Sequence, residues 1–260
     1  MLVSLAVFAQ DPSAYFKSFD TKTYSLKSKG VRDLVVDIEN PRLTKELNEQ
    51  GAFGQVKELI FRVHWTSSPE RLAVEVIGLP EGFTEVKESL KTRALAAIET
   101  LFPLGVGAKF SSLKVIQGPG KREFTATDSS NLAPIPSYTL KFDEQDRLVE
   151  VNGNKVFGTF NVRPVYSKEN FADGKWVLTS QISEEGDGTN SVSSSRVINY
   201  GRAQGIAVPS ELEIAIEQKN QDSKNNVRFK ENFVFKNYRV NDGSAVKYFL
   251  GESKANQIVE

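Results

Sequence analysis

Residues Gly82 to Pro103, GFTEVKESLKTRALAAIETLFP, form the one long helical pattern in a chain that otherwise reads as strand after strand. Val86, Leu90, Ala94, Ala97 and Leu101 recur at spacings of three and four. Leu95, Ile98 and Phe102 widen that stripe, so one side of the helix calls for burial against something flat. Lys87, Glu88, Lys91, Arg93 and Glu99 supply the wet side. Glu81 and Glu85 put negative charge at the start, where the helix dipole favours it, and Pro103 ends the run. The expectation is a helix laid across a sheet.

Immediately upstream, Leu59, Phe61, Val63 and Trp65 alternate with Ile60, Arg62, His64 and Thr66. After the turn signal Ser67-Ser68-Pro69-Glu70, Leu72, Val74 and Val76 alternate again, which predicts a hairpin. Further back, Leu34, Val36 and Ile38 read as a strand, and Pro41 to Gln50 as a short helix or loop. Pro12 to Phe19 reads as a short helix with Tyr15, Phe16 and Phe19 on one side.

Downstream, Leu113 to Ile116 is a short strand, Phe124-Thr-Ala126-Thr-Asp128 alternates, and Tyr138, Leu140 and Phe142 turn through Asp143-Glu-Gln-Asp146 into Leu148 to Val151. Strand signals follow at Val156 to Val162, Trp176 to Ile182, Val192 to Tyr200, Leu212 to Ile216 and Val227 to Val240. An apolar face opposite a charged one on successive strands predicts a mainly β, α+β fold. It is a curved antiparallel sheet or incomplete β-barrel, closed by one long helix and a short N-terminal helix. The boundaries read as 10–250 for a single domain and 251–260 for a frayed tail, since Lys247 to Glu260 carry few apolar groups.

The chain has 260 residues, 39% hydrophobic and 25% charged, enough for a sizeable core. Lys plus Arg and Asp plus Glu are 33 each, so no global field draws in a phosphate backbone, and nucleic acid is not an expected partner. Cysteine is absent, which removes disulfides, thiolate nucleophiles and zinc-thiolate sites. Residues 1–9, with the apolar run ending Val7-Phe8-Ala9, match the tail of a secretory signal and its cleavage site, although a basic start is missing. Placement in the periplasm or secretion is the expectation. The run is too short for an integral membrane span.

No catalytic signature stands out, and the expectation is a protein that is not an enzyme and carries no cofactor. His64 is the single histidine, which rules out multi-histidine metal sites; it falls on the polar side of its strand and reads as exposed. Ser111-Ser-Leu-Lys114 spells Ser-x-x-Lys without the Lys-Thr-Gly strand that its chemistry requires. Gly105-Val-Gly107 and Gly118-Pro-Gly-Lys-Arg122 lack phosphate-loop spacing and read as turns. Glu184, Glu185 and Asp187 lack a calcium-loop pattern and read as a polar hairpin tip, leaving no metal site.

The order of short helix, hairpins, inserted helix and a strand run ending Phe235-Lys-Asn-Tyr238-Arg-Val-Asn241 resembles the LolA/LolB-like lipoprotein carrier superfamily. That resemblance implies a half-barrel whose cavity holds acyl chains, with a lipid or acylated protein as partner. Phe61, Trp65, Val74, Phe124, Leu140, Trp176 and Phe235 are the candidate lining of the sheet, with Val86, Leu90, Ile98 and Phe102 of the helix as wall or lid. The alternative is an envelope interaction module that offers sheet edges to a protein partner.

Overall fold

A computed structural model of the chain describes residues 11–51, 54–102, 105–130, 135–155, 157–187, 189–220 and 226–256. The signal-like run at 1–9 and the end of the tail at 257–260 lie outside the described residues. The helices are α1 (Pro12–Lys22), α2 (Pro41–Gln50), α3 (Thr84–Ile98), α4 (Val106–Lys109) and α5 (Ser244–Asn256). The strands are β1 (Asp33–Glu39), β2 (Ile60–Ser67), β3 (Glu70–Ile77), β4 (Lys114–Gln117), β5 (Glu123–Thr127) and β6 (Ser137–Phe142). The remainder are β7 (Leu148–Asn154), β8 (Thr159–Lys168), β9 (Trp176–Gly186), β10 (Asn190–Ala203), β11 (Ile206–Asn220) and β12 (Val227–Val240).

All twelve strands join one open antiparallel sheet in the order β3-β2-β1-β12-β11-β10-β9-β8-β7-β6-β5-β4. The mainly β expectation therefore holds. The long closing helix does not: the helices are short, and α3 stops at Ile98, followed by a single 3-10 turn. The chain divides into two compact units. Unit 1 comprises Met1–Tyr24, Leu104–Arg196 and Ala215–Phe229, and unit 2 comprises Ser25–Pro103, Val197–Ile214 and Lys230–Glu260.

In unit 2, β1 is buried along nearly its whole length. Registration with β2 pairs Leu34 with Trp65, Val36 with Val63 and Ile38 with Phe61, so these side chains share one face. The stripe that the sequence predicted on α3 is the buried one: Leu90, Ala94, Ala97 and Ile98 are all inside, and α3 packs along β3. Arg93 of α3 donates to Glu231 of β12, a carboxylate only 6% exposed. α2 begins at Pro41, capped by Asn40, whose Oδ1 accepts from Leu43 N at 3.1 Å, and ends at Gly51 in the left-handed region.

The second face of β1 and β2 is the polar one by alternation, yet α5 packs across it. His64 is consequently 5% exposed rather than on the surface, with its ring stacked on Tyr248 at 3.8 Å and 10°. The chain continues as α5 through Ser244–Asn256. Asp242 Oδ1 accepts from Ser244 N at the helix start, and Ala245, Tyr248 and Phe249 sit three and four residues apart, facing the sheet. On the same strand face, Arg62 grips Asp37 through two hydrogen bonds of 2.7 and 3.2 Å. Burial alone would push the Asp37 carboxyl up, but the bonds from Arg62 and Asn237 outweigh it and hold it low.

The core of unit 1 is aromatic. Phe16 and Phe19 of α1, Val106 and Phe110 from α4 and its end, and Phe124, Leu140 and Phe142 from β5 and β6 form one buried cluster. Tyr15 meets Phe124 at 5.0 Å, and Phe19 meets Phe142 and Tyr166 edge to face at 6.1 and 5.8 Å. Gly153 admits the ring of Phe160 from β8; a Cβ there would lie 2.0 Å from it.

Burial lowers the His64 pKa below its ordinary 6.5, with Arg62 and Arg239 acting in the same direction and Glu75 of β3, 3.6 Å away, only partly offsetting them. The unfolded chain thus takes up this proton first as pH falls, and stability present above about pH 6.5 declines on going below it. Denaturant midpoints between pH 7 and 5 should fall for the native chain and flatten for His64→Gln; the depressed Asp37, Asp143 and Asp146 titrate only lower. Arg93→Ala strands the Glu231 carboxylate and should cost about 1–3 kcal/mol by urea unfolding, with Glu231→Gln recovering part of it in the double variant.

Candidate functional site

Helix α1 positions the grooves of unit 1. Pro12 occupies its first turn and Asp11 caps it, accepting from Ser13 N at 2.9 Å. With Tyr15, Phe16 and Phe19 turned onto the sheet, the remaining sides of the helix are left for polar anchors. Ser18 and Lys22 donate to Asp146 Oδ2 at 2.9 and 2.7 Å, and Arg122 donates to its Oδ1 at 2.6 Å. The bond from Lys22 leads the effects that hold the Asp146 carboxyl below its usual range. The acidic turn between β6 and β7 is therefore an anchor for α1 as well as a turn.

On the other flank, Asp20 accepts from the backbone N–H groups of Val106 and Gly107 at 2.8 and 3.3 Å, capping α4 from a different helix. Gly105 lets the chain approach, since a Cβ there would meet Asp20 Oδ2 at 2.9 Å. Between α1, α4 and β4 runs an open groove of about 680 Å³. Pro12, Leu113 and Val115, with the edges of the buried Phe16 and Phe110, form its apolar lining, and Asp11, Ser13, Lys17, Asp20, Thr21 and Ser111 contribute its polar side.

A second groove of about 600 Å³ lies at the C-terminal turn of α1, and Thr21 lines both. Its wall is Trp176, the first residue of β9, fixed where Tyr24 N donates to Trp176 O at 2.7 Å. Lys168 Nζ lies 4.7 Å and the Arg147 guanidinium 4.6 Å from the centre of the Trp176 ring. Nearby, burial and then the charge of Asp173 push the Tyr24 phenol up to about 12.

The candidate residues divide between the two units. Phe61, Trp65, Val74, Val86, Leu90, Ile98, Phe102 and Phe235 belong to unit 2, and all but the half-buried Val86 are buried. Phe124 and Leu140 belong to unit 1, where the helical members of their cluster come from α1 and α4 rather than α3. Among these candidates, Trp176 alone lines one of the two grooves.

The motif fragments have structural uses. Ser111 Oγ donates to Ala108 O at 2.8 Å, closing the end of α4. Gln117 Nε2 donates to carbonyls of Gly120, Lys121 and Glu123 and so braces the β4–β5 turn. At the β9–β10 tip, Glu184 pairs with Arg163 at 2.9 Å and Glu185 with Lys155, while Asp187 accepts from Thr189 N and Asn190 N. Sequence reading missed Asp20 and Asp146 as anchors. Their one visible signal was a carboxylate on the outward side of a short aromatic helix and another in a tight turn.

A scan against protein-family models and searches of curated proteins and of solved structures found no match. Among the described residues, no helix is long and apolar enough to cross a membrane.

The capping role of Asp20 is measurable. Asp20→Ala should cost about 1 kcal/mol, within the range of about 0.5–2 for a lost cap, and Asp20→Asn much less. Hydrogen exchange at the Val106 and Gly107 amides should accelerate in the alanine variant alone.

Proposed function

We propose that this protein binds a lipid or the acyl chain of an acylated protein without covalent chemistry, as a carrier of the cell envelope working in the periplasm or outside the cell. The observation that carries this reading is the groove beside α1, where Phe16, Phe110, Leu113 and Val115 line an open space of about 680 Å³. That volume falls in the usual range for small-molecule sites, about 300–1,000 Å³. In this reading the ligand lies on the flank of α1 rather than beneath α3, where the sequence pattern put it.

The energetics suit an exchangeable ligand. Each methylene removed from water contributes about 0.8 kcal/mol, so ten of them supply roughly 8 kcal/mol. Association costs at least about 4 kcal/mol. The balance is a weak to moderate affinity, which allows a carrier to release what it holds. In this reading the cargo lies against α1 and the edge strand β4, and no bond is made or broken.

The open sheet favours one second reading. β3 and β4 end the strand order, and β4 exposes Ile116. A partner strand added at such an edge would make the protein an interaction module of the envelope.

Native mass spectrometry of protein purified under mild conditions should show acyl species that organic extraction removes. The extracted protein should take up a fluorescent fatty acid saturably, and Leu113→Ser with Val115→Ser, which trims two side chains that also pack on the core, should weaken that uptake at least tenfold in protein whose circular dichroism shows the native fold. Extracted native protein that takes up no fatty acid refutes the lipid reading and leaves the edge-strand reading standing.

A further inference from the structure

The Trp176 groove has a charge unlike the rest of the chain. Lys22, Lys168 and Lys175 line it against the single carboxylate of Asp173, whereas the whole protein balances 33 basic against 33 acidic residues. The cations differ in how far they are already neutralised. Lys22 is held by Asp146 at 2.7 Å, and the neighbouring Arg147 by Asp143 at 2.6 Å. Lys168 faces the Trp176 ring, and among the described residues neither it nor Lys175 lies within 4.0 Å of a carboxylate. Gln145 lines the same space and adds a neutral amide donor. Two ammonium groups and an amide beside an aromatic wall match a ligand with several anionic oxygens better than a single carboxylate, because each donor finds its own acceptor.

We propose that this groove binds a phosphate-bearing group through Lys168, Lys175 and Gln145, with Trp176 packing against whatever the phosphate is attached to. The chemistry is shared by the headgroup of an anionic lipid and by a soluble phosphate ester. A lipid source extends the carrier reading, since Thr21 of α1 borders both grooves and a single amphiphile could lay its tail in one and its phosphate in the other. A soluble ester requires no lipid at all, so the phosphate site stands or falls separately from the acyl groove.

Titration of the full chain with inorganic phosphate and with glycerol phosphate, followed by calorimetry, tests the site directly. Flotation with phosphatidylcholine vesicles, with and without phosphatidic acid, tests the lipid source. Saturable binding in either arm that weakens at least tenfold in Lys168→Gln with Lys175→Gln, at unchanged melting temperature, supports the proposal. Binding of soluble phosphate alone assigns a soluble ester, and binding of phosphatidic acid vesicles alone assigns a headgroup. No saturable binding in any arm, or binding that the double variant leaves unchanged, overturns it. Leu113→Ser with Val115→Ser, checked for native circular dichroism, serves as the cross-check. It should weaken fatty acid uptake at least tenfold and keep phosphate binding, so failure of the acyl reading and failure of this one are read separately.

Discussion

The seating of α1 on β5 and β6 is the interaction on which the grooves of unit 1 depend. Phe16 and Phe19 enter the cluster of Phe124, Leu140 and Phe142, and that burial fixes which side of the helix faces inward. Once the inward side is fixed, Ser18 and Lys22 must reach Asp146 and Asp20 must reach the start of α4. A helix of eleven residues has little stability of its own, so tertiary packing and these anchors supply what propensity does not. The grooves are the spaces left on either side of a helix held in this way.

Unit 2 answers a different constraint. Its strands β1 and β2 are covered on one side by apolar packing that includes α3, and on the other by α5, so both faces of the sheet are dry there. A polar face placed under a helix has to satisfy its groups internally. Arg62, Asp37 and Asn237 do so as a network, and His64 does so less completely, stacked on Tyr248 with Glu75 at 3.6 Å. The carboxylate of Glu231 follows the same logic, buried because Arg93 comes with α3 to meet it.

A consequence for function is that rigidity and recognition are separated. Well-buried residues such as Phe61, Ile98 and Phe235 hold the fold. Leu113, Val115, Lys168 and Trp176 are only partly buried or exposed and line the two grooves, although Leu113 and Val115 also pack on the core of unit 1. Under the proposed reading an amphiphile would use an apolar surface and a charged one within reach of each other, and α1 borders both grooves, one along its flank and one at its C-terminal turn.

Local pattern alone determined a good deal. The period-two alternation of Phe61 to Trp65 and Leu72 to Val76, interrupted by Ser68-Pro69, dictated the β2–β3 hairpin, and the spacing of Leu90, Ala94, Ala97 and Ile98 dictated the buried side of α3. Strand direction and the mainly β class followed from the same short-range rules. What pattern cannot encode is which element covers which face. His64 reads as exposed until α5 folds over it, and Phe124 and Leu140 read as partners of α3 until α1 takes that place. Those choices belong to the tertiary structure, because alternation specifies two faces of a strand while only long-range packing decides whether water or another element lies against each.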